Sequence, residues 1–161
     1  APASVGSVGE AVMAADRLLE TAKAQADAQV SERNAREKAE LLRQLGMDEG
    51  ESATKASRTM IRQLEEDQKR RSKRALTDAI DRALIDLLAI YRDVLMVQVG
   101  GDGELINTDL SDLVHEIAQD STPRQTLARV DHIETARKRL VSNGNPLLVL
   151  EDMAISLRPQ A

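Results

Sequence analysis

One stripe of side chains constrains this chain more than anything else in it. Leu76, Ile80, Leu84, Leu87, Tyr91 and Leu95 recur at steps of 4, 4, 3, 4 and 4, which places them on one face of a helix and scatters them over both faces of a strand. Leu88, Ile90 and Val94 widen that face, and so broad an apolar surface has to be covered by other elements. The cover must be aliphatic as well. The 161 residues contain no Phe, no Trp and a single Tyr, leaving Ala, Leu, Val and Ile as the apolar stock, a diet suited to closely packed helices.

The remaining segments read as helices too. From about Gly9 to Leu45, Val12, Ala15, Leu19, Ala22 and Ala26 mark one face. The charged run Glu32 to Lys38 means that this face is narrow or that the helix projects from the core. Gly46 is placed to stop it, Gly46 to Glu51 forms a turn, and Ser52 or Thr54 can cap the next helix. That second helix is expected from about Thr54 to Val97, carrying Met60 and Leu64, then Glu65 to Arg74 without one apolar residue, then the stripe. Arg74, Asp78, Arg82 and Asp86 alternate in sign at i,i+4, and pairs worth about 0.2–0.5 kcal/mol each describe a solvated or interfacial face rather than a source of stability.

Gly100, Gly101 and Gly103 end the long helix, and Leu110, Leu113, Val114, Ile117 and Ala118 predict a short amphipathic helix from near Asp109. Thr122-Pro123-Arg124-Gln125 has the chemistry of a capping box with Pro at the first helical position. The helix it opens carries Leu127, Val130, Ile133 and Leu140, and Asn143-Gly144-Asn145-Pro146 stops it and starts the last one, residues 147–158. Leu147 to Leu150 could form a strand, but no other segment offers a partner. The expected fold is all-α, a bundle of about five helices with a long helical hairpin on its N-terminal side. Residues 1–74 form the hairpin lead-in, frayed over 1–5, and 75–161 the C-terminal helices of one structural domain.

Several function classes fall away on composition. With no Cys there is no disulfide, thiolate zinc site, iron–sulfur cluster or Cys nucleophile. A balance of 22 Lys+Arg against 27 Asp+Glu, net −5, argues against a generic nucleic-acid binder, and one aromatic residue cannot build a stacking platform. Asp86, Arg92 and Asp93 break the longest apolar concentration, Ala83 to Val97, so no membrane span is expected and the default compartment is the cytoplasm. The chain begins at Ala1 without an initiator Met, which is the expectation for a piece of a larger protein.

The residues that could carry chemistry each have a plainer reading. His115 and His132 are the only imidazoles, and no ligand spacing surrounds them, so they read as surface helix residues rather than metal or catalytic groups. Gly100-Gly101-Asp102-Gly103 follows a helix and lacks a GK[ST] ending, so it reads as a helix-ending turn and not a phosphate loop. Neither an enzyme nor a cofactor is indicated. Lys69, Arg70, Arg71, Lys73 and Arg74 put five cations in six residues, a candidate contact for nucleic acid or another polyanion. Against that, Glu65–Lys69, Glu66–Arg70 and Asp67–Arg71 stand at i,i+4, and their mutual neutralisation favours a solvated helix face. The apolar last helix and the 84–97 stripe are expected to be mostly buried core, though helices apolar nearly all round in so small a domain can also mean a surface that another subunit covers.

The C-terminal half carries a recognisable ordered set: Tyr91-Arg92-Asp93-Val94-Leu95, Asn107, then Ile133, Ala136-Arg137, Leu140, Asn143, Asn145-Pro146, Leu148 and Glu151. Over about residues 75–158 it resembles the C-terminal domain of bacterial clamp-loader subunits of DNA polymerase III, the delta-prime and gamma/tau type. The Ala- and charge-rich lead-in over 9–74 is similar to the extended form in actinobacterial delta-prime subunits. The resemblance implies a helical collar in which five such domains from different subunits form a ring under their AAA+ modules, so that the loader can place the sliding clamp for DNA replication. It implies gamma/tau and delta as partners, DNA met only indirectly, no membrane and no small-molecule substrate, and no ATP chemistry here, since the AAA+ module lies outside this chain.

Residue by residue, the resemblance gives Tyr91 the role of a buried anchor with its hydroxyl near a polar edge, and Arg92 and Asp93 that of a polar brace to neighbouring helices. Asn145 caps the last helix with Pro146 at its first turn, and Glu151 accepts hydrogen bonds or an ion pair, with Arg137 as candidate partner. Gly144 departs from the apolar residue common in the family, which suggests a looser turn. Two rivals stand beside this reading: a helical adaptor binding nucleic acid or another protein through Lys69–Arg74, and a small enzyme using His115 or His132.

Overall fold

The computed structural model describes residues 8–46 and 54–159. They form α1 (Val8–Gln44), α2 (Lys55–Gln98), α3 (Ser111–Gln119), α4 (Pro123–Val141) and α5 (Pro146–Ser156), with a 3-10 turn at Thr108–Leu110 ahead of α3. The described residues contain no strand, so the fold is all-α and Leu147 to Leu150 lie in a helix. Residues 1–5, most of the Gly46–Glu51 turn, and Ser52 fall outside the described residues.

Local chemistry sets the helix ends. At the start of α2 the Ser57 backbone N–H donates to Thr54 Oγ1 at 3.1 Å. The capping box of α4 is complete: the Gln125 N–H donates to Thr122 Oγ1 at 3.2 Å and the Thr122 N–H to Gln125 Oε1 at 2.9 Å. At α5 the Leu148 N–H donates to Asn145 Oδ1 at 3.2 Å, with Pro146 in the first turn. Helix α2 closes with Gly100 at φ +70°, a conformation glycine adopts without strain, as the Gly101 N–H bonds the Met96 carbonyl at 3.0 Å and the Gly100 N–H that of Val97 at 3.2 Å.

The end of α4 repeats this pattern with Asn143 at φ +65°, the Gly144 N–H bonding the Arg139 carbonyl at 2.8 Å and the Asn143 N–H that of Leu140 at 3.3 Å. The turn at Gly144 is therefore tight, contrary to the looser turn expected. A Cβ there would stand 2.8 Å from both the Arg139 carbonyl oxygen and Val149 Cγ2; the absent side chain lets α5 begin directly beneath the end of α4.

The chain divides into two compact units, residues 8–20 with 80–159, and residues 21–79. The first has a true core. Ile80, Leu84, Val94, Val114, Thr126, Ile133 and Leu150 are fully buried, joined by Ala11, Ala15 and Leu19 from α1, Ala136 and Leu140 from α4, and Val149 and Met153 from α5. Helix α4 lies along α5. The expected stripe on α2 is buried at Ile80 and Leu84, while Leu87, Tyr91 and Leu95 are half-buried. Leu113 and Leu127, expected on buried faces, are exposed; Val114 and Thr126 are the buried neighbours, and a step of one residue turns a side chain by about 100°.

In the second unit α1 and α2 meet along small residues. Ala22, Ala26 and Val30 of α1 and Ala75 and Ala79 of α2 are buried, with Leu76 half-buried against them. The buried face of α1 runs 11, 15, 19, 22, 26, 30, so Ala11 takes the inward position and Val12 only flanks it. Alanines keep the approach close and the seam narrow, consistent with the charge-rich surface around it. No helix among the described residues is long and apolar enough to cross a membrane.

Candidate functional site

Asp93 is the organising polar group of the first unit. It sits on the inward face of α2 at 2% exposure, where an ionised carboxylate persists only if its oxygens are satisfied. Oδ1 accepts from the Ile106 backbone N–H at 2.8 Å, and Oδ2 accepts from the Asn107 backbone N–H at 2.8 Å and from Asn107 Nδ2 at 2.9 Å. Burial pushes the carboxyl pKa up, but these three hydrogen bonds and the charge of Arg92 outweigh it and hold Asp93 below its ordinary value. Two motif residues, Asp93 and Asn107, are thus direct partners. The brace holds the segment before the 3-10 turn and not a neighbouring helix, and Arg92 is exposed, which corrects the role expected for the Arg-Asp pair.

Arg137 on α4 reaches Asp81 on α2, Nε to Oδ1 at 2.8 Å and Nη2 to Oδ2 at 3.3 Å, with Glu134 a further 3.4 Å contact. The hydrogen bond to Asp81 leads the influences that raise the Arg137 pKa. The expected Arg137–Glu151 pairing is replaced by this fork-like bond, which ties α4 to α2; the α4–α5 cross-link is instead Arg139 to Asp152 at 2.6 Å. Tyr91 is half-buried and not fully enclosed. Burial raises its phenol pKa, and the Arg129 guanidinium, 5.9 Å from the ring centroid, opposes that rise.

A hub that the sequence does not advertise lies at the C-terminal end of α2. Gln98 Nε2 donates to the Ser121 carbonyl at 3.0 Å, to Ser121 Oγ at 3.1 Å and to the Ala118 carbonyl at 3.3 Å, while its Oε1 accepts from the fully buried Thr126 hydroxyl at 2.7 Å. One side chain thereby ties α2 to the α3–α4 junction. A polar residue in the last turn of a long helix gives no local sign of such a role.

In the second unit the polar contacts cross from α2 to α1. Arg71 Nη1 donates to Asn34 Oδ1 at 2.8 Å and Glu37 Oε2 at 2.9 Å, Gln68 Nε2 donates to the Asn34 carbonyl at 2.8 Å, and Lys38 pairs with Glu65 at 3.4 Å. The hydrogen bond from Arg71, opposed by burial and joined by Arg33, lowers the Glu37 pKa. The expected i,i+4 neutralisation of the basic run is not what forms: Glu65 is taken by Lys38, Asp67 pairs with Arg70 at i,i+3, and Arg71 turns to α1. Lys69, Lys73 and Arg74 are exposed. Beside this region Leu41, Met60 and Leu64, with Glu37, Glu40 and Asp67, line an open groove of about 550 Å³.

Both histidines are exposed. His115 Nδ1 lies 2.7 Å from the Ser111 carbonyl in its own helix, and His132 borders a hollow of about 180 Å³ with Thr135, Arg139 and Asp152. No group of three or more His, Cys, Asp or Glu among the described residues could hold a metal ion. What the first unit does leave open is apolar helix surface: Leu148 on α5 is 63% exposed, Leu127 on α4 52% and Leu113 on α3 43%. Helix α5 is apolar nearly all round, yet buries only Val149, Leu150 and Met153.

A family model described as DNA polymerase III, delta subunit, C terminal, matches residues 53–158. DNA polymerase III subunit delta' of Bacillus subtilis (strain 168) is 36% identical over 72 residues, 45% of this chain and 22% of that protein, so the match spans less than a quarter of the relative's length. No solved structure matches the chain.

Proposed function

The chain belongs to the family of C-terminal domains of the DNA polymerase III delta type, and from that premise we propose that it is the assembly module of a delta-prime-type clamp-loader protein, without catalytic activity of its own. Its partners are the equivalent helical domains of gamma/tau and delta, and its contribution to replication is to hold those subunits together while other regions act on nucleotide, clamp and DNA. What supports this reading is the family match over residues 53–158, together with large apolar side chains left exposed on α3, α4 and α5, among them Leu113, Leu127, Val141 and Leu148. Apolar side chains left exposed on a well-packed domain are where the helices of a partner subunit can dock. The motif residues then serve the scaffold: Asp93–Asn107, Arg137–Asp81 and the Asn143–Pro146 turn fix the helices that present these faces.

Size-exclusion chromatography with light scattering, on this chain mixed with gamma/tau and delta from the same source, tests the reading. A specific mixed complex is expected, weakened at least tenfold by Leu148→Asp without loss of helical content. A chain that elutes alone from every mixture at high micromolar concentration contradicts the proposal.

A further inference from the structure

The face of α2 turned away from α1 carries a line of free cations. Residues that meet α1 within the second unit include Gln68 and Arg71, which bond Asn34 and Glu37, and the buried Ala75; with Leu64 they recur at steps of 4, 3 and 4. Lys55, Arg58, Arg62, Lys69 and Lys73 recur at steps of 3, 4, 7 and 4, about 150° round the helix from that seam at 3.6 residues per turn. All five are exposed and none has an ion pair among the described residues. From Lys55 to Arg74 the chain has eight Lys and Arg against three Asp and Glu. Of those three acids, Glu65 is held by Lys38 and Asp67 by Arg70, leaving only Glu66 beside the cationic line. A local excess of five positive charges within a chain of net charge −5 is a segregated charge, not a solvated average.

We infer that this face of α2 docks the phosphate backbone of duplex nucleic acid. Five cations between Lys55 and Lys73 span about 27 Å at about 1.5 Å per residue, a length along which duplex DNA presents about 16 phosphates at one per 1.7 Å of axis. Single strands are bound with the help of stacked aromatic rings, and the only aromatic residue, Tyr91, lies in the other unit. Flexible Lys and Arg side chains without a partner element entering a groove contact phosphates rather than base edges, so binding is indifferent to sequence and steep in salt. The inference goes beyond the assembly reading and stands or falls separately from it.

Fluorescence anisotropy of the 161-residue chain with a labelled 20-base-pair duplex of mixed sequence, titrated from 50 to 200 mM salt, tests it. Five phosphate contacts give a slope of log K against log salt of about −4.5. Arg62→Gln/Lys69→Gln/Lys73→Gln is expected to weaken binding at least tenfold and to flatten the slope by about 2.7. Arg82→Gln/Arg124→Gln/Lys138→Gln removes the same charge from the other unit and is expected to change affinity less than twofold. Lys69→Arg/Lys73→Arg should keep it, and circular dichroism should show all variants equally helical. No binding at 50 mM salt, equal losses from the two triple variants, or tighter binding to the single strand would each overturn the inference.

Discussion

Among the described residues the two units are held together by different means. Residues 8–20 with 80–159 bury seven large side chains completely, from Ile80 and Leu84 on α2 to Leu150 on α5, and satisfy Asp93 and Thr126 inside the same core. Residues 21–79 bury four alanines and one valine, and lean on exposed or half-exposed cross-links such as Arg71–Glu37 and Lys38–Glu65. Burying a Leu or Ile contributes about 1.5–3 kcal/mol, several times what a methyl group offers, and surface ion pairs contribute little. The first unit is therefore the stable scaffold, and the hairpin opens locally at a lower free energy. The comparison teaches that charge can be displayed cheaply where little is buried, and apolar surface can be presented accurately only where much is.

The sharpest way to break that comparison is inside the scaffold. Leu84→Asp places an unpaired charge at a position with 0% exposure and is expected to cost more than about 4 kcal/mol, unfolding residues 80–159; an unchanged melting temperature would disprove the core assigned here. Asp93→Asn comes next, at about 2–3 kcal/mol, because it weakens charge-assisted bonds to Ile106 and Asn107 inside the core. The folded-state pKa of Asp93 is depressed, so its contribution is full above the unfolded carboxylate value and drains away as pH falls through the folded one. Wild type should therefore lose stability on acidification below about pH 4 more steeply than Asp93→Asn, as equilibrium denaturation at a series of pH values will report. The smallest effect is Lys69→Ala on the hairpin, expected to shift the melting temperature by less than about 2 °C. A larger loss would mean that the cationic face supports the fold.

Helix number, type and boundaries were legible in the sequence because caps act locally: Thr54, Thr122-Gln125, Gly100 and Asn145 each declare a helix end through neighbours three or four residues away. Which of two adjacent apolar residues turns inward was not. Ala11 is buried where Val12 was expected, and of the neighbours Leu113 and Val114 only Val114 is; a periodic pattern tolerates either choice. Asp93 and Asn107 were legible as motif members, but their bond spans fourteen positions and exists only in three dimensions. Arg137 choosing Asp81, and Gln98 choosing Thr126, illustrate the same limit. The i,i+4 rule misread the basic run for a related reason: α1 offers Arg71 a carboxylate and Lys38 takes Glu65, so the cations at 69 and 73 are left open.

Hydrogen exchange on the chain, alone and mixed with the proposed partners gamma/tau and delta, tests the division of labour most directly. In the free chain, amides around Leu84, Val94 and Ile133 should exchange only through global unfolding and those of 22–44 and 55–74 through smaller openings. On assembly, added protection should fall on α3, α4 and α5 and leave 55–74 unchanged. Protection gained along 55–74 while α3 to α5 remain as they were would contradict the account.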